Sequence, residues 1–152
     1  MASNLPIIAD ADTGFGEAEM VHKTVWEYFL HGASGLHIED QVFPKRCGHL
    51  DGKTLISAED MINKIQYASK ASMECSGGEF IICARTDAAG VMGVDETIRR
   101  AKLYVEAGAD MIFPEGLKSA EEFERVAKEL KGLGKDVPIS FLNHSGRPIF
   151  AC

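Results

Sequence analysis

The chain has 152 residues, 45% of them hydrophobic, which suffices for one domain with a sizeable core. A formal net charge of −7 makes nucleic acid and anionic membrane poor partners, and no apolar run is long enough to span a bilayer. Four cysteines without CxxC spacing are too few for a disulfide scaffold, and the first residues lack the basic and apolar regions of a signal peptide. Both features favour a reducing compartment, the cytoplasm ahead of an organelle such as the mitochondrion.

Residues 5–9 form a short apolar run that reads as a buried strand and ends at Asp10. A loop over residues 10–16 leads into a predicted helix over 17–30, with Met20, Val21, Val25, Tyr28 and Phe29 on one face and a stop at Gly32. Residues 35–38 read as the second strand, ending in Glu39 and Asp40, and a long loop over 41–57 follows. Ser57 is placed to cap a helix running to about Met73, with Met61, Ile62, Ile65 and Ala68 facing inward. The third strand is expected over 79–84, ending in Arg85, Thr86 and Asp87, and a helix from near Asp95 to Glu106 is closed by Gly108. The fourth strand, 110–113, ends in Pro114, Glu115 and Gly116. Ser119 and Glu122 then form a capping box for a helix carrying Phe123, Val126 and Leu130. A turn over 131–136 precedes a fifth strand over 137–142.

Alternation of strand and helix implies an α/β fold with a parallel sheet and right-handed crossovers. Continuous apolar strands suit a sheet covered on both faces. A doubly wound sheet and a portion of a (β/α)8 barrel both fit, and in both the function collects at the C-terminal ends of the strands. Polar residues recur there: Asp10, Asp12, His37, Glu39, Arg85, Asp87 and Glu115. Any one of them alone is more often a residue that merely finishes a strand; their recurrence at four successive strand ends points to a site.

Asp10, Asp12 and Glu39 are the donors a hard divalent cation such as Mg²⁺ prefers, supplemented by water and substrate oxygens. A zinc site built on Cys47 and His49 lacks a second pair of ligands at a sensible spacing. Arg85 is suited to a bidentate carboxylate clamp. In the loop, Lys45, Arg46 and His49 surround Cys47 with positive charge that favours the thiolate, and Gly48 lets the chain turn. A cation, an arginine holding a di- or tricarboxylate and a cysteine ready to move a proton make a workable carbon–carbon lyase.

Five motifs carry a resemblance. Asp10-Ala11-Asp12-Thr13-Gly14-Phe15-Gly16, His37-Ile38-Glu39-Asp40-Gln41, Lys45-Arg46-Cys47-Gly48-His49, Ala84-Arg85-Thr86-Asp87 and Phe113-Pro114-Glu115 resemble, in order and spacing, those of the isocitrate lyase/phosphoenolpyruvate mutase superfamily. Within it the chain looks most like the 2-methylisocitrate lyase group. The resemblance implies a TIM-type (β/α)8 barrel, Mg²⁺ (or Mn²⁺ in its place) and a loop that closes over substrate. It implies Asp10 as the direct ligand, Asp12 and Glu39 as holders of metal-bound water with Asp12 also near substrate, and Cys47 as acid/base on a catalytic loop with Lys45, Arg46, Gly48 and His49. Arg85 and Glu115 would contact substrate, while His37 and Asp87 orient neighbours; Ser140 or Asn143 would take the place of a family asparagine.

Family members run to nearly twice this length, so residues 1–152 are expected to form a single partial barrel domain. It would comprise about five βα units, the third to seventh strands, truncated at both ends relative to the family. The implied activity is Mg²⁺-dependent cleavage of a 2-methylisocitrate-like acid to pyruvate and succinate. Dimethylmalate lyase or oxaloacetate hydrolase activity at the same site, or an inactive barrel fragment, are the alternatives. A homo-oligomer, tetrameric in full-length relatives, is the implied assembly.

Overall fold

The computed structural model describes residues 5–46, 52–134, 137–142 and 148–151. Cys47, Gly48, His49 and Asn143, named above as site candidates, lie outside the described residues. In chain order the elements are β1 (Ile8–Asp10), α1 (Ala18–Leu30), β2 (Gly35–Glu39), α2 (Ala58–Ser76), β3 (Ile81–Thr86) and α3 (Ala88–Val91). They continue with α4 (Val94–Glu106), β4 (Met111–Pro114), α5 (Ala120–Lys131), β5 (Ile139–Leu142) and β6 (Pro148–Ala151). Among the described residues no helix is long and apolar enough to cross a membrane.

The sheet order is β1-β2-β3-β4-β5-β6, with β1 to β5 parallel neighbours in sequence order. A doubly wound sheet reverses its order at a switch point, whereas a barrel wall adds each strand beside the last. The order here is that of a barrel wall. Alternate residues of β2 divide the two faces. Leu36 and Ile38 join Ile82, Ala84, Ile112 and Ile139 in the core beneath the helices, while His37 and Glu39 share their face with Cys83 and Arg85, their partners in register.

The helices cover the outer face with Val21 and Val25 from α1, Met61, Ile65 and Ala68 from α2, Ala101, Tyr104 and Val105 from α4, and Val126 and Leu130 from α5. Burying each of the larger of these side chains is worth about 1.5–3 kcal/mol. α2 starts as predicted, with Ser57 Oγ accepting the Asp60 N–H at 3.0 Å, and ends at Gly77 in the left-handed region.

Several boundaries differ from expectation. β3 runs two residues further, through Arg85 and Thr86, because those residues continue the ladder to Glu39, Phe113 and Pro114 although the apolar run has ended. α3 is an unpredicted single turn after Asp87. The capping box is incomplete. Ser119 Oγ accepts the Glu122 N–H at 3.2 Å, but the Glu122 carboxylate accepts from the Lys118 N–H, one residue before the cap. β5 is shorter than expected, and the unpredicted β6 pairs with it antiparallel from Ile139–Ala151 to Leu142–Pro148.

Candidate active site

The β1–α1 loop starts the site. Asp12 has a left-handed backbone (φ 49°), a conformation that aspartate tolerates better than most residues. Its N–H donates to Asp10 Oδ1 at 2.8 Å, and its carbonyl accepts the Glu39 N–H at 2.8 Å, so the loop is tied to the end of β2. Gly14 is required in the next turn: its φ is 91°, and a Cβ there would lie 2.5 Å from Val21 Cγ2.

One ammonium gathers the carboxylates. Lys45 Nζ lies 2.5 Å from Asp12 Oδ1, 3.5 Å from Glu39 Oε2 and 3.8 Å from Asp10 Oδ2. Partial burial works against the charge of Lys45, yet the hydrogen bond to Asp12 and the charges of Glu39 and Asp10 outweigh it and hold the ammonium above the usual lysine range. Burial likewise works against ionised Asp10. The Asp12 N–H, His37, Lys45 and Arg85 overcome it and hold the carboxyl below its usual value. His37 Nε2 sits 3.6 Å from Asp10 Oδ1; burial pushes the imidazole down, assisted by Arg85 and Lys45.

Glu39 is fully buried. Its Oε1 accepts from Gln41 Nε2 at 3.1 Å, but Oε2 has no hydrogen-bond partner. Removal from water pushes the Glu39 carboxyl up to about 7, despite the nearby charges of Arg85 and Lys45. Arg85 Nε stands 3.4 Å from Glu39 Oε2, and Arg85 Nη2 3.7 Å from Glu115 Oε2. The guanidinium lies over the Phe113 ring, 5.2 Å from its centroid. Asp87 grips it from behind through two hydrogen bonds of 3.0 and 3.1 Å and also receives Lys53 Nζ at 3.0 Å.

The structure therefore brings together Asp10, Asp12, His37, Glu39, Lys45, Arg85 and Glu115, with Asp87 as their buried support. Arg46 is held by its main chain: its N–H donates to Gln41 Oε1 and its carbonyl accepts from Gln41 Nε2, each at 2.9 Å. Its guanidinium lies beside Gly52. Cys83 lines the same face of β3, but burial pushes its thiol up to about 12, which leaves it a poor nucleophile or acid/base. Ser140 is buried on β5, opposite Phe150 of β6.

Gln41 and Lys53 were not singled out from sequence. The clue for Gln41 was its place two residues after Glu39. Lys53 gave no local clue, because its partner Asp87 is 34 positions away.

The donor set fits a divalent cation. Three carboxylates face one point of positive charge that a side chain now supplies, and one of them keeps a buried oxygen without a hydrogen bond. Among the described residues, no set of three or more His, Cys, Asp and Glu side chains converges closely enough to ligate an ion without help. An ion here would take part of its shell from water or substrate, as Mg²⁺ commonly does.

The chain is similar in sequence and in fold to known proteins. A 2-methylisocitrate lyase of Aeropyrum pernix is 55% identical over 127 residues, covering 84% of this chain and 40% of the relative. The structure of oxaloacetate acetylhydrolase with the inhibitor 3,3-difluorooxalacetate superposes with a TM-score of 0.84 at 34% identity, over 95% of this chain and 48% of that one. Phosphonopyruvate hydrolase in complex with oxalate and Mg²⁺ gives a TM-score of 0.73 at 34% identity, over 92% and 46%. The chain thus spans less than half the length of these relatives. The profile of the phosphoenolpyruvate phosphomutase family matches residues 1–150, and the chain belongs to that family.

Proposed function

We propose that this chain carries the metal- and substrate-binding wall of a Mg²⁺-dependent carbon–carbon lyase that cleaves a 2-methylisocitrate-like acid to pyruvate and succinate. The observation that carries the reading is the junction of two opposite charge environments. Asp10, Asp12 and Glu39 gather around one cation position, and the Arg85 guanidinium stands 3.4 Å from the last of them. Asp10 would hold the ion directly, with Asp12 and Glu39 holding its water. When bound, the ion supplies polarisation of the carboxylate and adjacent oxygen of the substrate.

Arg85, braced by Asp87 through Nε and Nη2, binds a substrate carboxylate through the N–H donors those two bonds leave over. Glu39, with its carboxyl near 7, is poised to accept the hydroxyl proton released as the carbon–carbon bond breaks. The bond's electrons leave on the dicarboxylate carbon, and the Cys47 thiol protonates it, giving succinate. Cys47 directly follows Arg46 in sequence, and the main chain of Arg46 is fixed by Gln41. Glu115 contacts substrate beside Arg85. The partner is a small di- or tricarboxylate, the setting cytoplasmic, and the working assembly a homo-oligomer.

Hydrolysis of oxaloacetate by the same residues is the second reading, favoured by the superposition on oxaloacetate acetylhydrolase. The test is an assay of the purified chain with Mg²⁺ and either 2-methylisocitrate or oxaloacetate, following pyruvate and oxalate, with mass from light scattering on the same sample. Pyruvate from 2-methylisocitrate supports the lyase, and oxalate from oxaloacetate supports the hydrolase. A folded, assembled chain that releases neither overturns both.

A further inference from the structure

Asp40 follows Glu39 but serves the other face of the sheet. Its carboxylate is fully buried, and four donors converge on it. Oδ2 accepts from Thr86 Oγ1 at 2.7 Å, Tyr104 Oη at 2.8 Å and Arg100 Nη1 at 3.1 Å; Oδ1 accepts the Asp87 N–H at 3.0 Å. Its main-chain carbonyl accepts the Ile56 N–H at 2.9 Å. Arg100 donates in turn to the Ile56 carbonyl at 3.1 Å and to Glu96 at 2.9 Å.

Tyr104 and Arg100 on α4 tie the Asp40 carboxylate to the helix layer. The other two donors belong to the end of β3, the segment that carries the clamp. Thr86 directly follows Arg85, and the Asp87 main chain is fixed by Asp40 while the Asp87 side chain holds Arg85 by both Nε and Nη2. The path from Asp40 to the guanidinium therefore passes through one residue, by short hydrogen bonds at each step.

We propose that Asp40 is a positioning residue for the substrate clamp: through Asp87 it sets where the Arg85 guanidinium meets a carboxylate. This deepens the proposed function and rests on it, since Arg85 is there the group that binds the substrate acid. Asp40 itself touches no substrate, and Lys45, Asp10 and Asp12 are absent from its contacts. Its loss is therefore expected to weaken carboxylate binding while leaving Mg²⁺ affinity in place.

The experiment is a double-mutant cycle read by calorimetric titration of oxalate in the presence of Mg²⁺, with Mg²⁺ also titrated alone and folding checked by circular dichroism. The proteins are the parent chain, Asp40→Asn, Arg85→Met and the double variant. Asp40→Asn is expected to weaken oxalate about tenfold with Mg²⁺ affinity unchanged, and to have no further effect once Arg85 is methionine. An Asp40→Asn effect that persists undiminished beside Arg85→Met, or one that falls equally on Mg²⁺, overturns the positioning role. Should Asp40→Asn fail to fold, Thr86→Val removes one of the same hydrogen bonds and is held to the same pattern. A folded parent that binds Mg²⁺ but not oxalate overturns the proposed function and this inference with it; oxalate binding with an additive cycle overturns the inference alone.

Discussion

Glu39 and Asp40 are adjacent acids at the end of one strand, both fully buried, and they lead opposite lives. On the helix side Asp40 receives four hydrogen bonds and faces a guanidinium at 3.1 Å. On the open side Glu39 receives one, from Gln41, and keeps an oxygen unsatisfied with charges no nearer than 3.4 Å. A buried carboxylate that a fold uses as a rivet is saturated with donors, because an unpaired one costs free energy. A buried carboxylate left short of donors is a cost the fold tolerates where something else is to bind.

The largest expected effect falls on the saturated side. Asp40→Ala leaves buried Arg100 with Glu96 alone and strips Thr86, Tyr104 and the Asp87 N–H of their acceptor, so it should destabilise the chain by about 3–5 kcal/mol, read from chemical denaturation. A loss under about 1 kcal/mol would break the contrast, because the four bonds would then not be holding the fold.

Next comes Glu39→Gln, with the opposite sign. The Glu39 carboxyl is raised in the fold to about 7, so its favourable contribution is present below its ordinary value near 4.5 and is lost as pH rises through 7. The neutral variant should therefore be more stable than the parent by about 2–3 kcal/mol at pH 8. The advantage should vanish at pH 4 and shrink at pH 8 when Mg²⁺ is added. A variant less stable than the parent at pH 8 would show that Glu39 is not in want of a partner.

The smallest effect sharpens the picture of the cation position. Lys45→Met removes a partly exposed ion pair with Asp12, so stability should change by less than about 1 kcal/mol. Mg²⁺ binding by calorimetry should tighten roughly fivefold, because the ion no longer competes with an ammonium. Weaker Mg²⁺ binding in this variant would show that Lys45 supports the ion and does not stand in for it.

Much of this was legible in the sequence, for local reasons. Short apolar runs that break off at Asp10, Glu39, Arg85 and Glu115 mark both the strands and the rim on which the polar groups meet. The face each residue takes was less legible. Glu39 and Asp40 look equivalent in sequence, and only the register Glu39↔Arg85 decides which one turns toward the site. The partners of the Asp40 carboxylate lie 46 to 64 positions downstream, beyond the reach of any periodicity argument. β6 was missed because residues 148–151 carry no alternation, and their pairing with β5 supplies the strand. The Lys45–His49 motif is legible from its residues, but Cys47, Gly48 and His49 lie outside the described ones.

The base of that loop has an entropic consequence. The Gln41↔Leu55 bridge and the Val42 N–H to Thr54 carbonyl bond pin it at one level, and Arg46 through Gln41 and Lys53 through Asp87 pin it again further along. Between those inner anchors lie six residues, against thirteen between Gln41 and Leu55. Chain statistics make the closure of the shorter span cheaper by about 0.7 kcal/mol. The six-residue span is thus fastened at one end to Gln41, which bonds Glu39, and at the other to Asp87, which holds Arg85.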